Sequence, residues 1–333
     1  SIKNALQRLV PLASDNISAI TRDLYAANLR LQDELAALIA EFFVVRNCRK
    51  LPNPNEAEAQ EALWQEIEAV TNFETHSLRK LALHSPYFEN RFQTYQIVID
   101  NQNDGDRGQL LSSLYDKLQV ASGHLRANVV LFCTALEKLG STERSSALLP
   151  FDRAFLVDGE IRHANLSDMH FADANLTSMY LYEVNLANTS LTNASLRRVL
   201  MFGGSLRNSF LSQAEFERSQ IVSVDLTDAQ LGGAKIPQRL RSAWWKADFT
   251  IDNKVDVELL ESLYQGDNQT VPTNLDEVHA SVRPFLESRR ALESEREKPQ
   301  GGLAAAFADR STCSAGVGAL SATTLRHAPR EVL

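Results

Sequence analysis

Sulfur is scarce in this chain, with three cysteines and three methionines among 333 residues. Cys48, Cys133 and Cys313 stand far apart and form no CxxC pair. That excludes a disulfide framework and a zinc ribbon, and it fits a reducing cytosol. Cys133 falls in an apolar helical run and reads as a core residue. None of the seven histidines has an HExxH or other ligand spacing, and GxSxG, GxxxxGK(S/T) and GxGxxG are all missing. Neighbouring carboxylates such as Glu66 and Glu68 do not share a helical face. No catalytic residue, metal ligand or cofactor is therefore expected.

Basic excess is lacking too. The net charge is −8, which gives no footprint for direct nucleic-acid binding. Long apolar runs are absent. The most apolar stretch, Leu35 to Val45, is interrupted by Glu41 and is about half the ~20 residues needed to span a bilayer. No secretory signal is visible, so a cytoplasmic location is expected. The chain begins at Ser1 without Met, which leaves room for a membrane anchor or signal upstream.

What is present falls into blocks. Residues 1–150 read as an α-helical bundle. Ile17, Ile20, Leu24, Leu31, Leu35, Ile39 and Phe42 follow helical steps of three and four. Leu51-Pro52-Asn53-Pro54-Asn55 breaks that pattern. Further helices are predicted over about 56–83, 86–100 and 109–139, with a polar turn at Asn101 to Gly108.

After Asp152 the period becomes five. Ile161, Leu166, Phe171, Leu176, Leu181, Leu186, Leu191, Leu196, Met201, Leu206, Leu211, Phe216, Ile221, Leu226, Leu231 and Ile236 follow one another at that spacing, all apolar. At the chain's 44% apolar frequency, one register would do this by chance about twice in a million, so the period is real. Two positions before each lies a second series, from Gly159 to Ala234, in which fourteen of sixteen residues are Val or smaller. Five suits neither a helix nor a flat strand. It suits a chain that turns a corner every five residues, so that four sides close a coil of 20 with one large and one small side chain inward per side. Ala154 and Leu156 fit the same register.

The stretches His163-Ala164-Asn165-Leu166-Ser167, Asp173-Ala174-Asn175-Leu176-Thr177 and Val224-Asp225-Leu226-Thr227-Asp228 resemble the A(D/N)LXX motif of pentapeptide-repeat proteins. The resemblance covers residues 154–237. It implies a right-handed quadrilateral β-helix of about four coils, and hence an α+β chain in a bacterial setting. The solenoid with a C-terminal plug formed by Trp244, Trp245 and Phe249 would occupy 151–250. Short helices would follow over 251–298, and the Gly-, Ala- and Ser-rich 299–333 reads as a disordered tail.

Residues 20 apart share a side of the coil, so the outward positions sort into four walls. The wall centred on Leu181 and Met201 turns out Tyr180 and Leu200 in one column, and Tyr182, Phe202 and Val222 in the other. The second shows Asn165, Asn185, Ser205 and Asp225; the third His170, Ser190, Phe210 and Gln230; the fourth Asn175, Ser195, Glu215 and Lys235. Only the first wall is apolar, and an apolar patch of that size marks a contact surface. Its first expected cover is the chain's own helices, and its second is a partner protein or another copy forming a homodimer.

The function expected is a non-enzymatic protein-interaction scaffold. The family resemblance also implies a regulator of type II topoisomerase (DNA gyrase) that mimics DNA. Against it, residues 159–236 hold eight acidic and six basic side chains, a balance of −2 that imitates a duplex poorly. A membrane-linked signalling protein or secreted effector is the third reading, with its anchor or signal before Ser1.

Overall fold

The computed structural model describes residues 14–51, 60–100, 106–141, 150–236, 240, 242–249, 254–266 and 271–297. The expected tail at 299–333 lies outside them. The chain divides into two units, Ser1–Phe285 and Leu286–Leu333.

Among the described residues, five helices precede the repeats: α1 (Ser14–Val45), α2 (Glu61–Thr71), α3 (Thr75–His84), α4 (Pro86–Asp100) and α5 (Arg107–Ser141). The single helix expected over 56–83 is two, with the break at Asn72. That residue is left-handed (φ 59°) and its N–H donates to Glu68 O at 2.7 Å, closing α2. The Glu68 carboxylate then accepts from Thr75 N at 3.0 Å and satisfies the start of α3. Pro86 opens α4 after Ser85, whose hydroxyl accepts from Tyr87 N. The helices share a core built on Leu35, Ile39, Phe42 and Phe43 of α1, Trp64 of α2, Leu78 of α3, Phe88 of α4 and Leu118 of α5. Glu41, which interrupts the apolar run, is 4% exposed and pairs with Arg91 of α4, so its charge is not left bare.

The repeats form parallel ladders at a constant offset of 20 residues. On one side lie β1 (Glu160–Arg162), β2 (Tyr180–Tyr182), β3 (Leu200–Phe202) and β4 (Gln220–Val222), in that order, with Ile161, Leu181, Met201 and Ile221 in register. Single bridges make the other three sides, as in Asn165↔Asn185↔Ser205↔Asp225, Pro150↔His170↔Ser190↔Phe210↔Gln230 and Phe155↔Asn175↔Ser195↔Glu215↔Lys235. The repeat therefore starts by Pro150, earlier than the unbroken apolar series.

Every fifth residue from Arg153 to Gly233 has positive φ, seventeen in all. These are the corners. Nine are Asn, Asp or Gly, the residues that enter the left-handed region most cheaply. The central residues from Ile161 to Leu231 are buried, and Ile236 is half-buried.

A ladder has two open ends whose backbone groups need partners. At the first end the helices supply them. The Asn28 carboxamide of α1 donates to Phe155 O (2.9 Å) and accepts from Phe155 N (3.2 Å), taking the place of a neighbouring strand. Tyr25 Oη donates to Asp152 O, and the Glu137 carboxylate of α5 accepts from Arg162 N at 2.9 Å. An aromatic chain carries the helical core into the coil: Phe132 and Tyr25 meet Phe151, which stacks on Phe171 at 5.4 Å. At the other end Leu231 N and Asp228 N donate to Asp248 O and Lys246 O, and Val224 N donates to Ser242 Oγ. Trp244 and Phe249 are buried there. α6 (Lys254–Gly266) and α7 (Arg283–Glu297) follow, with a short 3-10 turn at Leu275–Glu277 between them. The second unit begins inside α7.

Candidate interaction surface

The four walls differ in what covers them. The fourth, centred on Leu176, Leu196 and Phe216, lies under α3. His76, Lys80 and His84 recur every fourth residue on that helix, one face of three basic side chains. His76 Nε2 lies 3.1 Å from Glu215 Oε2 and 3.4 Å from Ser195 Oγ. Glu215 Oε1 also receives Lys235 Nζ at 2.9 Å. Lys80 Nζ donates to Asn193 O at 2.7 Å, Arg153 donates to His84 O, and Arg198 pairs with Glu74 at 3.0 Å. Asn175 and Ser195, outward-facing by register, are 3% and 0% exposed beneath this contact.

The electrostatics follow from the same geometry. The hydrogen bond from His76, with help from Lys235, holds the Glu215 carboxyl down at about 2 against the effect of burial. Burial lowers Lys80 to about 8, and the carboxylates of Glu215 and Asp173 oppose the fall. Cys133 lies under Gly159, and burial pushes its thiol up to about 12, the state of an inert core thiol.

Ser195, His76 and Glu215 have the composition of a nucleophilic triad but not its geometry. One ring nitrogen, Nε2, faces both the hydroxyl and the carboxylate, so no proton can be relayed across the imidazole. Ser195 is also fully buried. Among the described residues no group of three His, Cys, Asp or Glu side chains could hold a metal ion. No helix among the described residues is long and apolar enough to cross a membrane. A cleft of about 820 Å³ runs between α2, α3 and the Arg197–Arg198 corner. Its charges are matched within the chain, as in Arg79 with Glu61 and Arg197 with Glu217.

The first wall stands apart. Tyr180, Leu200, Tyr182, Phe202 and Val222 are each partly exposed, although Leu181, Met201 and Ile221 between them point inward and are buried. Several of these side chains contact one another or their neighbours. Tyr180 and Phe202 lie 6.1 Å apart, His163 meets Tyr182 edge-on, and the Arg162 guanidinium sits 5.2 Å over the Tyr180 ring. The expectation that the chain's helices would cover this wall first is not what the fold does with α3. That helix clasps the polar fourth wall through ion pairs and hydrogen bonds, and apolar patterning carries no sign of such a contact.

A family model described as pentapeptide repeats matches residues 160–198, with eight copies. Three solved structures are similar in part. A pentapeptide repeat protein from the Arabidopsis thaliana thylakoid lumen is 22% identical, with 38% of this chain and 87% of that one covered and a TM-score of 0.29. HetL, a pentapeptide repeat protein involved in heterocyst differentiation regulation in the cyanobacterium Nostoc sp. strain PCC 7120, is 19% identical. There 31% of this chain and 50% of HetL are covered, at a TM-score of 0.19. QnrB1, a plasmid-mediated fluoroquinolone resistance protein, is 17% identical, with 35% and 62% covered and a TM-score of 0.16. No curated protein matches. The repeats are thus pentapeptide repeats, and the N-terminal helices match no family.

Proposed function

We propose that the chain is a non-enzymatic protein-interaction scaffold, in which a right-handed four-coil solenoid presents one apolar wall to a partner. Residues 1–150 act as a helical cap, 151–250 as the solenoid with its terminal plug, and 251–298 as an accessory helical segment. The observation that carries this reading is the contrast between two walls. The fourth, polar wall is buried beneath α3, while the wall of Tyr180, Tyr182, Leu200, Phe202 and Val222 keeps partly exposed aromatic and aliphatic groups. Covering a Tyr or Phe side chain stabilises a contact by about 1.5–3 kcal/mol from area alone, so a partner gains from seating there. The topoisomerase-regulator reading gains nothing from the surface. The ladder Asp168–Asn188–Asn208 is mostly amide, with each Asn donating to the residue below.

The double variant Tyr182→Ser with Phe202→Ser tests the reading. Neither side chain fills the solenoid interior, so melting should be preserved. The contact that covers the wall should be weakened, seen as lost pull-down partners or as a shift to monomer in light scattering. Parent-like behaviour in both assays would remove this wall as an interface.

A further inference from the structure

We infer that the apolar wall seats one amphipathic α-helix of a partner protein, laid along the stacking axis with a carboxylate toward Arg218. This rests on the wall being the contact surface and goes on to its occupant. Size is the first argument. The apolar columns run only from β2 to β4, since β1 turns out the ion-paired Glu160 and Arg162, and two steps of about 4.8 Å make the apolar wall roughly 10 Å tall. That falls far short of the ~800 Å² per side found in stable interfaces between whole proteins. A second copy pressed wall to wall would gain too little to stay, whereas two turns of a helix match the height.

Relief is the second. Tyr180 and Leu200 form one ridge and Tyr182, Phe202 and Val222 the other, on either side of the inward Leu181, Met201 and Ile221. Two residues of strand separate the ridges by about 7 Å. Along this trough the relief repeats once per coil, at about 4.8 Å, and a helix presents one apolar turn every 5.4 Å. Over two turns the two repeats drift by about 1 Å, within the reach of side-chain rotamers. An extended strand, which repeats on one face every ~6.8 Å, falls out of step after one coil. It also finds no backbone edge at β1, where Glu137 already accepts from Arg162 N.

Charge is the third. On one flank Glu183 is engaged by His163 at 3.0 Å. On the other, Arg198 is tied to Glu74 at 3.0 Å, while Arg218, the next corner along, is exposed and forms no ion pair with a described residue. One flank is therefore left with a cation to match, which calls for an acidic residue beside the partner's apolar stripe.

The test pans two displayed libraries against the full chain. One presents randomised positions on a helical scaffold, and the other presents the same diversity as extended loops. Both are counter-selected on the folded Tyr182→Ser/Phe202→Ser variant. Wall-dependent binders should come from the helical library, with apolar residues at i, i+3 or i+4, and i+7 and Asp or Glu on one flank. Arg218→Glu should weaken them about tenfold, and changing the binder's acid to Lys should restore the loss. Wall-dependent binders that are extended, or indifferent to Arg218, overturn the helix and leave the wall as a contact surface. So does a parent that self-associates while the double variant is monomeric. If no binder distinguishes parent from double variant and the parent is monomeric, both readings fall.

Discussion

Replacing Asn28 with Ala should destabilise the protein by about 2–4 kcal/mol, although the residue lies more than a hundred positions from the repeats it protects. Asn28 is fully buried and its carboxamide makes two bonds to one backbone residue, at 2.9 Å to Phe155 O and 3.2 Å from Phe155 N. Alanine removes both, and Phe155 is itself 1% exposed. A buried donor and a buried acceptor lose their partner together, at about 1–3 kcal/mol each. The longer bond is the weaker, and a water entering the vacated space would recover part of the loss, which gives the stated range. Urea unfolding should show a lower midpoint with an unchanged slope, since the surface exposed on unfolding is the same. Hydrogen exchange should accelerate at the Phe155 amide. Asn28→Asp separates the two bonds. The carboxylate can still accept from Phe155 N, but it faces Phe155 O with no proton to donate. At neutral pH it should cost more than Ala, because it also buries a charge. A change below about 0.5 kcal/mol for Asn28→Ala, with Phe155 protection intact, would refute the idea that this amide stands in for a missing strand.

Two further outcomes test the clasp and the corners. The Glu215 carboxyl is held at about 2, below its usual 4.5, by His76 and Lys235. A depressed folded-state value means that its contribution, about 1–3 kcal/mol after allowing for partial exposure, is fully present above pH 4.5 and lost as pH falls toward 2. Glu215→Gln should therefore destabilise the protein at pH 6 and converge with the parent only as pH falls to about 2 and below in urea titrations; a gap that stays constant with pH contradicts the assignment. Gly204 has φ +81°, and an added Cβ would lie 2.2 Å from Val184 O, whereas at Gly203 (φ +66°) the nearest atom is the flexible Glu183 Cγ at 3.3 Å. Gly204→Ala should cost at least about 3 kcal/mol and Gly203→Ala about 1–2; equal melting temperatures for the two would overturn the stacking described for that corner.

The solenoid was legible in the sequence because its geometry leaves two periodic marks, a large apolar residue every fifth position and a small one two places before it. A third mark was also there. Asn, Asp and Gly recur at Asp158, Asp168, Asp173, Asn188, Asn193, Gly203, Asn208, Asp228 and Gly233 because the corners are left-handed. The break between α2 and α3 was signalled only by Asn72, and asparagine inside an amphipathic pattern is common enough to be read through. The caps left no pattern. Asn28, Tyr25 and Glu137 are single polar residues on long helices, and what makes them caps is a partner more than twenty residues away, or more than a hundred. The α3 clasp was hidden for a related reason. Its contact pairs basic side chains with a polar wall, so apolar patterning marks the first wall and leaves the fourth unmarked.

The constant offset of 20 also governs how this protein can change length. An insertion or deletion of 20 residues within the ladders adds or removes one storey and returns every later side chain to the wall it came from. A change of five keeps the solenoid closed, since each side is equivalent as backbone, but turns everything downstream by a quarter of the circumference. Five residues gained just before Glu215 would swing it away from His76 and carry Val222 out of the apolar columns, and a gain before Phe202 would move Phe202 as well. Lineages of this chain should therefore tolerate length differences of 20 far more readily than of five, even though both spare the fold.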